Sequence, residues 1–215
     1  EVLFHEDLGS RLETELSDIG PQKIYMGWET DPYQPCEEES RQTRTVLETL
    51  LEKGCSASIL TKSDRVLRDL DLLRQMPDSS ISFSIAFDND TDRQQFEANT
   101  RDTGSRIAAL ETVQASGIAT SVLLCPVIPY INDVMAVIDS VAGLADKIWI
   151  YGLSSLKASD LNWRNIEAIL EDTYPGLKSW IKEAVFNKDH QFWKNLRNEL
   201  MQYQKKHTLN LKIHV

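Results

Sequence analysis

The chain has 215 residues, with 23 basic against 33 acidic side chains and a formal charge of −10. A hydrophobic fraction of 41% is that of a folded globular domain and excludes disorder. The acidic balance argues against a dedicated duplex binder, whose affinity comes from neutralising phosphates. No run approaches the ~18–20 apolar residues of a membrane span and no signal peptide is present, and three widely spaced cysteines read as those of a reduced, cytoplasmic protein.

The elements follow in chain order. Lys23–Trp28 reads as a strand, and Glu37–Lys53 as a helix with Val46, Leu47, Leu50 and Leu51 on one stripe and Gly54 as its stop. Ala57–Thr61 is a second strand, followed by a helix N-capped at Asp64 with Val66, Leu67, Leu70 and Leu73 inward. Strand Ser80–Ile85 leads into a polar loop, Asp88–Asp92, and a helix from Ser105 to Ala115. Strand Ala119–Leu124, stopped by Pro126 and Pro129, precedes helix Asp133–Leu144 and strand Lys147–Tyr151. Helices near Asn162–Glu171 and Gln191–Lys206 and a final strand Leu209–His214 complete the chain. The stripe Phe192, Leu196, Leu200, Tyr203 reads as core.

The first five strands are spaced by roughly 23–39 residues, the size of a βα unit. Helices between them imply parallel strands with right-handed crossovers, hence an α/β fold, either a doubly wound sheet or a βα barrel. The working surface of either lies at the carboxyl edge of the strands. That edge carries Trp28-Glu29-Thr30-Asp31, Thr61-Lys62-Ser63, Ser84 to Asp88, Cys125-Pro126 and Tyr151-Gly152. Ser58, Leu60 and Lys62 share one face of their strand, and Ser82 and Ser84 one face of theirs. An interior with serines and a lysine suits a ligand-holding barrel. The lysine either meets an anionic partner or snorkels to solvent.

Dinucleotide, phosphate-loop, zincin and nucleophile-elbow motifs are all missing. His5, His190, His207 and His214 lie toward the chain ends, away from this cluster, and Asn89-Asp90-Thr91 is a chance sequon. Cys36, Cys55 and Cys125 fit no disulfide, zinc or iron–sulfur spacing.

Six blocks carry a resemblance: Thr30–Pro35 with Glu38 and Thr43-Arg44; Thr61-Lys62-Ser63 with Val66 and Arg68-Asp69; Ser82–Ser84 with Phe96-Glu97; Arg106–Leu110; Gly117-Ile118; and Pro126–Pro129 with Asn132-Asp133. In order and spacing, from about residue 23 to 135, they resemble the radical SAM proteins of the spore photoproduct lyase-like group, often labelled DNA repair photolyases. The resemblance implies a partial (β/α)6 TIM-like barrel over residues 1–160, and residues 161–215 as a C-terminal helical extension with a terminal strand. It implies S-adenosylmethionine (SAM) and a 4Fe–4S cluster at the carboxyl edge, and SAM-dependent radical chemistry.

By position, Glu29, Thr30 and Asp31 match the segment that meets the methionine amino group. Lys62 and Ser84 match residues that approach the methionyl carboxylate or ribose. Arg106 and Glu97 match a family pair that either serves the site or braces the barrel edge.

The cluster motif C-x-x-x-C-x-x-C is absent, and in the family it follows a strand upstream of Lys23. Glu1 followed by Val2-Leu3-Phe4 therefore reads as an opening in mid-fold, with the first strand and cluster loop missing and this fragment alone inactive. The family's hydrogen-donor cysteine falls on Trp28, which argues against thymine-dimer reversal by that route. No catalytic residue and no metal ligand is assigned.

Cys36 and Cys125 are either hydrogen donors or small hydrophobes, and Tyr33 either stacks on a base or packs in its turn. Two other readings remain, a non-catalytic barrel that binds a nucleotide-like ligand or a protein, and an aldolase-type barrel with Lys62 as Schiff-base nucleophile. The substrate is open, and a nucleic acid gains no support from the net charge.

Overall fold

The computed structural model describes residues 6–153 and 157–215. The apolar opening Val2-Leu3-Phe4 lies outside them. Ten α-helices and six strands are found among these residues. The strands form one sheet in the order β1-β2-β3-β4-β5-β6. They are β1 (Lys23–Met26), β2 (Ser56–Thr61), β3 (Ser80–Ser84), β4 (Ala119–Val127), β5 (Lys147–Gly152) and β6 (Leu211–His214). Strand pairing is parallel, with helices alternating along the chain. This is the expected α/β class, a partial TIM-like barrel with C-terminal helices.

Packing divides the chain into two compact units, Glu1–Phe83 with Ala108–Thr120, and Ser84–Ile107 with Ser121–Val215. In the first, α1 (Leu8–Ser17) packs on α3 (Gln42–Glu52), which covers β2. Helix α1 escaped the sequence reading because its apolar stripe is thin, and Leu16 is its one buried residue. The expected helix Glu37–Lys53 is two helices, α2 (Glu37–Ser40) and α3, broken at Arg41 with φ 49°. The break has a visible cause: the buried Glu37 carboxylate accepts from the amides of Thr43 at 3.0 Å and Arg44 at 3.4 Å, so it caps α3 from outside.

Strand β1 stops at Met26 because Gly27 has φ +96°, and a Cβ there would sit 2.1 Å from the carbonyl oxygen of Leu60. The cap expected at Asp64 is Ser63, whose Oγ accepts from the Arg65 amide at 3.3 Å. A 3₁₀ turn, Asp64–Asp69, follows before α4 (Leu70–Leu73).

The second unit holds α5 (Asp90–Phe96) where a loop was expected. Asn89 caps it by accepting from the Asp92 amide at 2.9 Å. Helix α6 (Thr103–Ala115) passes from this unit to the first. Strand β4 does not stop at Pro126. It runs to Val127, and its pairing with β5 shifts register between Leu124 and Val127, where Pro126 has no N–H to give. Asp133 caps α7 (Val134–Val141), accepting from the Ala136 amide at 3.0 Å.

Beyond β5 come α8 (Leu161–Thr173), the unanticipated α9 (Lys178–Phe186) and α10 (Gln191–His207). Trp163, Leu170, Ile181 and Val185 from α8 and α9 share one core with Ala86, Phe87 and Ile128. In the stripe on α10, Leu196 and Leu200 are buried, while Phe192 and Tyr203 are half-buried and make ring contacts with Tyr130 and His207. No helix among the described residues is long and apolar enough to cross a membrane.

Candidate functional site

In the first unit the carboxyl edge is built on Asp31. Its Oδ1 accepts from the Tyr33 amide at 2.8 Å and the Thr61 hydroxyl at 2.7 Å, and its Oδ2 from the Lys62 amide at 2.6 Å. Short charge-assisted bonds of this kind are the strong ones. They tie the exit of β1 to the exit of β2 and fix the main chain from which the Lys62 side chain emerges. Thr61 Oγ1 in turn accepts from the Ser63 amide at 3.0 Å. Lys62 is half-buried, and Glu29 and Thr30 are exposed on the loop after Gly27. Next to them Trp28 is 88% exposed.

Behind this edge lies a buried ion network. Asp69 accepts from Arg44 Nη1 at 2.9 Å, Arg68 Nε at 2.9 Å and Nη2 at 2.7 Å, and the Tyr33 hydroxyl at 3.0 Å. Arg68 Nη2 also reaches Glu37 Oε1 at 2.8 Å. Buried carboxylates are tolerable because every lone pair is used. Burial first, and then Asp69, push the Tyr33 phenol far above its ordinary value, while bonds to the carboxylates raise Arg44 and Arg68. Tyr33 is 1% exposed, with Arg68 lying 5.9 Å from its ring centre. It is a packing residue, and the alternative of stacking on a base is overturned. Sequence reasoning missed this network because its partners stand 36 and 25 positions apart, and no local spacing announces them.

In the second unit the edge centres on Ser84. Arg106, buried, donates from Nη1 to the Ser84 carbonyl at 2.8 Å and pairs with Glu97 Oε2 at 2.8 Å. Its Nε donates to the Arg101 carbonyl at 2.8 Å and its Nη2 to the Thr100 hydroxyl at 2.5 Å. Of the two roles open to Arg106 and Glu97, this geometry is that of a brace. Asn132 holds main chain in the same manner. Its side-chain NH2 donates to the Ala86 carbonyl at 2.6 Å, and its oxygen accepts from the Ile128 amide at 2.5 Å. Cys125 is half-buried on β4.

A 4Fe–4S cluster does not fit the residues present. Cys36, Cys55 and Cys125 lie apart in the chain, and among the described residues no three His, Cys, Asp or Glu side chains gather to hold a metal ion. SAM is a different case. A half-buried ammonium at Lys62 and exposed Glu29 and Thr30 have the chemistry to bind an α-amino acid group. Asp31 is already committed to three donors of its own chain.

No protein-family model matches the chain. It is 32% identical over 153 residues to the uncharacterized protein MJ0683 of Methanocaldococcus jannaschii, a match covering 71% of this chain and 57% of that protein. It is 28% identical over 151 residues to the uncharacterized protein Rv2578c of Mycobacterium tuberculosis, covering 66% and 44%. The chain thus spans about half the length of the curated relatives it matches. Among solved structures it is similar to a spore photoproduct lyase double mutant with bound AdoMet and dinucleoside spore photoproduct. That match has a TM-score of 0.54 and 15% identity, over 78% of this chain and 52% of the other. At that identity the likeness is one of fold.

Proposed function

We propose that this chain is part of a radical SAM enzyme core of the spore photoproduct lyase-like group, and that its own contribution is to hold SAM. One observation supports the reading above the others. Lys62 directly follows β2, and its main chain is locked by Asp31 while its side chain carries an ammonium at the carboxyl edge. Lys62 takes the methionyl carboxylate, and Glu29 and Thr30 take the amino group. Asp31 acts through Lys62 and is a positioning residue. SAM, when bound, supplies a sulfonium whose cleavage yields a 5′-deoxyadenosyl group. The protein's part is to orient the molecule and exclude water. No step is derived through the cluster, whose ligands these residues do not include.

Equilibrium dialysis with radiolabelled SAM tests the reading. Saturable binding that Lys62→Met weakens by about tenfold, the worth of one charge-assisted pair, is expected. Binding indifferent to Lys62, or none, leaves a non-catalytic barrel as the better description. Anaerobic reconstitution of these 215 residues with iron and sulfide is expected to give no 5′-deoxyadenosine. Production of it would overturn the assignment of the cluster ligands to another part of the protein. A borohydride-trapped adduct on Lys62 would instead establish the Schiff-base chemistry of an aldolase.

A further inference from the structure

The loop that carries Glu29 and Thr30 is exposed where those two residues stand, and three positions further on the chain turns inward at the buried Tyr33. Tyr33 is tied at both ends. Its amide donates to Asp31 Oδ1 at 2.8 Å, and its hydroxyl donates to Asp69 Oδ2 at 3.0 Å. Asp31 is the carboxylate that also holds the Lys62 amide, and Asp69, fully buried, is the hub of the ion network. One residue thus joins the exposed edge to the covered interior of the same unit. A second tie lies beside it, where the Thr43 hydroxyl of α3 donates to the Pro32 carbonyl at 2.5 Å.

Charge balance does not call for the phenol. Arg68 meets both oxygens of Asp69, Nε on Oδ1 and Nη2 on Oδ2, and Arg44 Nη1 adds a third N–H. Two guanidinium groups therefore serve that carboxylate already, and Tyr33 brings no charge. Filling space does not call for the hydroxyl either, since a phenylalanine ring has the same outline. What the phenol supplies is geometry. A flat ring on two rotatable bonds, fixed at its far end to a charged acceptor, holds its own main chain at a set distance from Asp69. We infer that Tyr33 is a positioning residue for the SAM site, with Asp69 as its anchor, and that it sets the place of Asp31 and, through it, of Glu29, Thr30 and Lys62. The inference rests on the SAM reading and extends it to a residue that does not touch SAM.

Tyr33→Phe keeps the ring and removes the bond, and Ile81→Val, which takes one methyl group from the buried core at β3 at a comparable cost in stability, is its control. Hydrogen exchange of the Tyr33 and Lys62 amides, both held by Asp31, is followed by NMR without ligand, and SAM affinity by equilibrium dialysis. For these amides position 33 is read in the variant as Phe. Tyr33→Phe is expected to speed exchange at both amides and to weaken SAM, each by about fivefold, the worth of one hydrogen bond. Ile81→Val is expected to leave both readings at the parent's values, whereas a purely structural role for Tyr33 would make the two variants alike. Exchange in Tyr33→Phe equal to the parent's, or SAM affinity that falls equally in both variants, overturns the inference. A parent that binds SAM with an affinity Tyr33→Phe leaves unchanged overturns this inference alone. A parent that binds no SAM overturns the SAM reading and this inference with it.

Discussion

At the scale of single residues, the edge of the first unit depends on positions that tolerate one residue type. Gly27 combines a left-handed φ with the Leu60 carbonyl where a Cβ would go. Gly27→Ala is therefore expected to cost at least about 2 kcal/mol in a urea unfolding titration. Tyr33 gives a pH signature. Its folded form holds the phenolic proton more tightly than the unfolded chain, whose tyrosine ionises near ~10. The stabilising contribution is therefore full below that pH and is lost as pH rises above it. Tyr33→Phe is expected to flatten the alkaline fall in stability, at a cost near ~1 kcal/mol at neutral pH. Glycine at 27 and the lysine at 62 were both visible in the sequence, but the carbonyl that excludes a Cβ was not. It belongs to Leu60, a residue in another strand.

At the scale of elements, strands were the most legible parts, because alternation and β-branched residues are local signals. Two helices were misread where a side chain just outside them sets their start. Glu37 breaks one helix in two, and Asn89 starts another in what reads as a string of loop residues. Removing such a group exposes its importance. Glu37→Ala strips a buried carboxylate from Arg68 and two amides, and is expected to cost about 3–5 kcal/mol. In the second unit, Trp163→Ala removes the largest side chain of the core shared by α8 and α9, for a loss of about 3–5 kcal/mol. Thermal unfolding followed by tryptophan fluorescence measures both.

At the scale of the whole molecule, charge sets the response to acid. Asp71 is held below the usual carboxylate range by Arg44, Asp90 by Arg93, and Asp102 by the Ser105 hydroxyl and its amide. Each contributes stability that is present above the unfolded value near ~3.9 and is lost as pH falls through the lower folded values. The acid limb of a pH–stability curve is expected to begin near that value, and Arg93→Met to flatten the part of it that Asp90 contributes. The α/β class was legible at this scale from strand spacing and the helices between, whereas the partial barrel entered only through the resemblance. The network of Asp69, Arg44 and Arg68 was not legible, since it depends on how α3 meets the 3₁₀ turn Asp64–Asp69.

Lys62 and Ser84 have something in common that has practical weight. Asp31 grips the amide of one, and Arg106 the carbonyl of the other. The chain thus separates where a functional group stands from what that group is. Its sockets are made of main chain, and the side chains set in them are interchangeable parts. Lys62→Met and Ser84→Ala are therefore expected to melt within a few degrees of the parent, whereas Asp31→Ala and Arg106→Ala are not. A ligand lost on changing either socketed side chain can be assigned to chemistry rather than to folding.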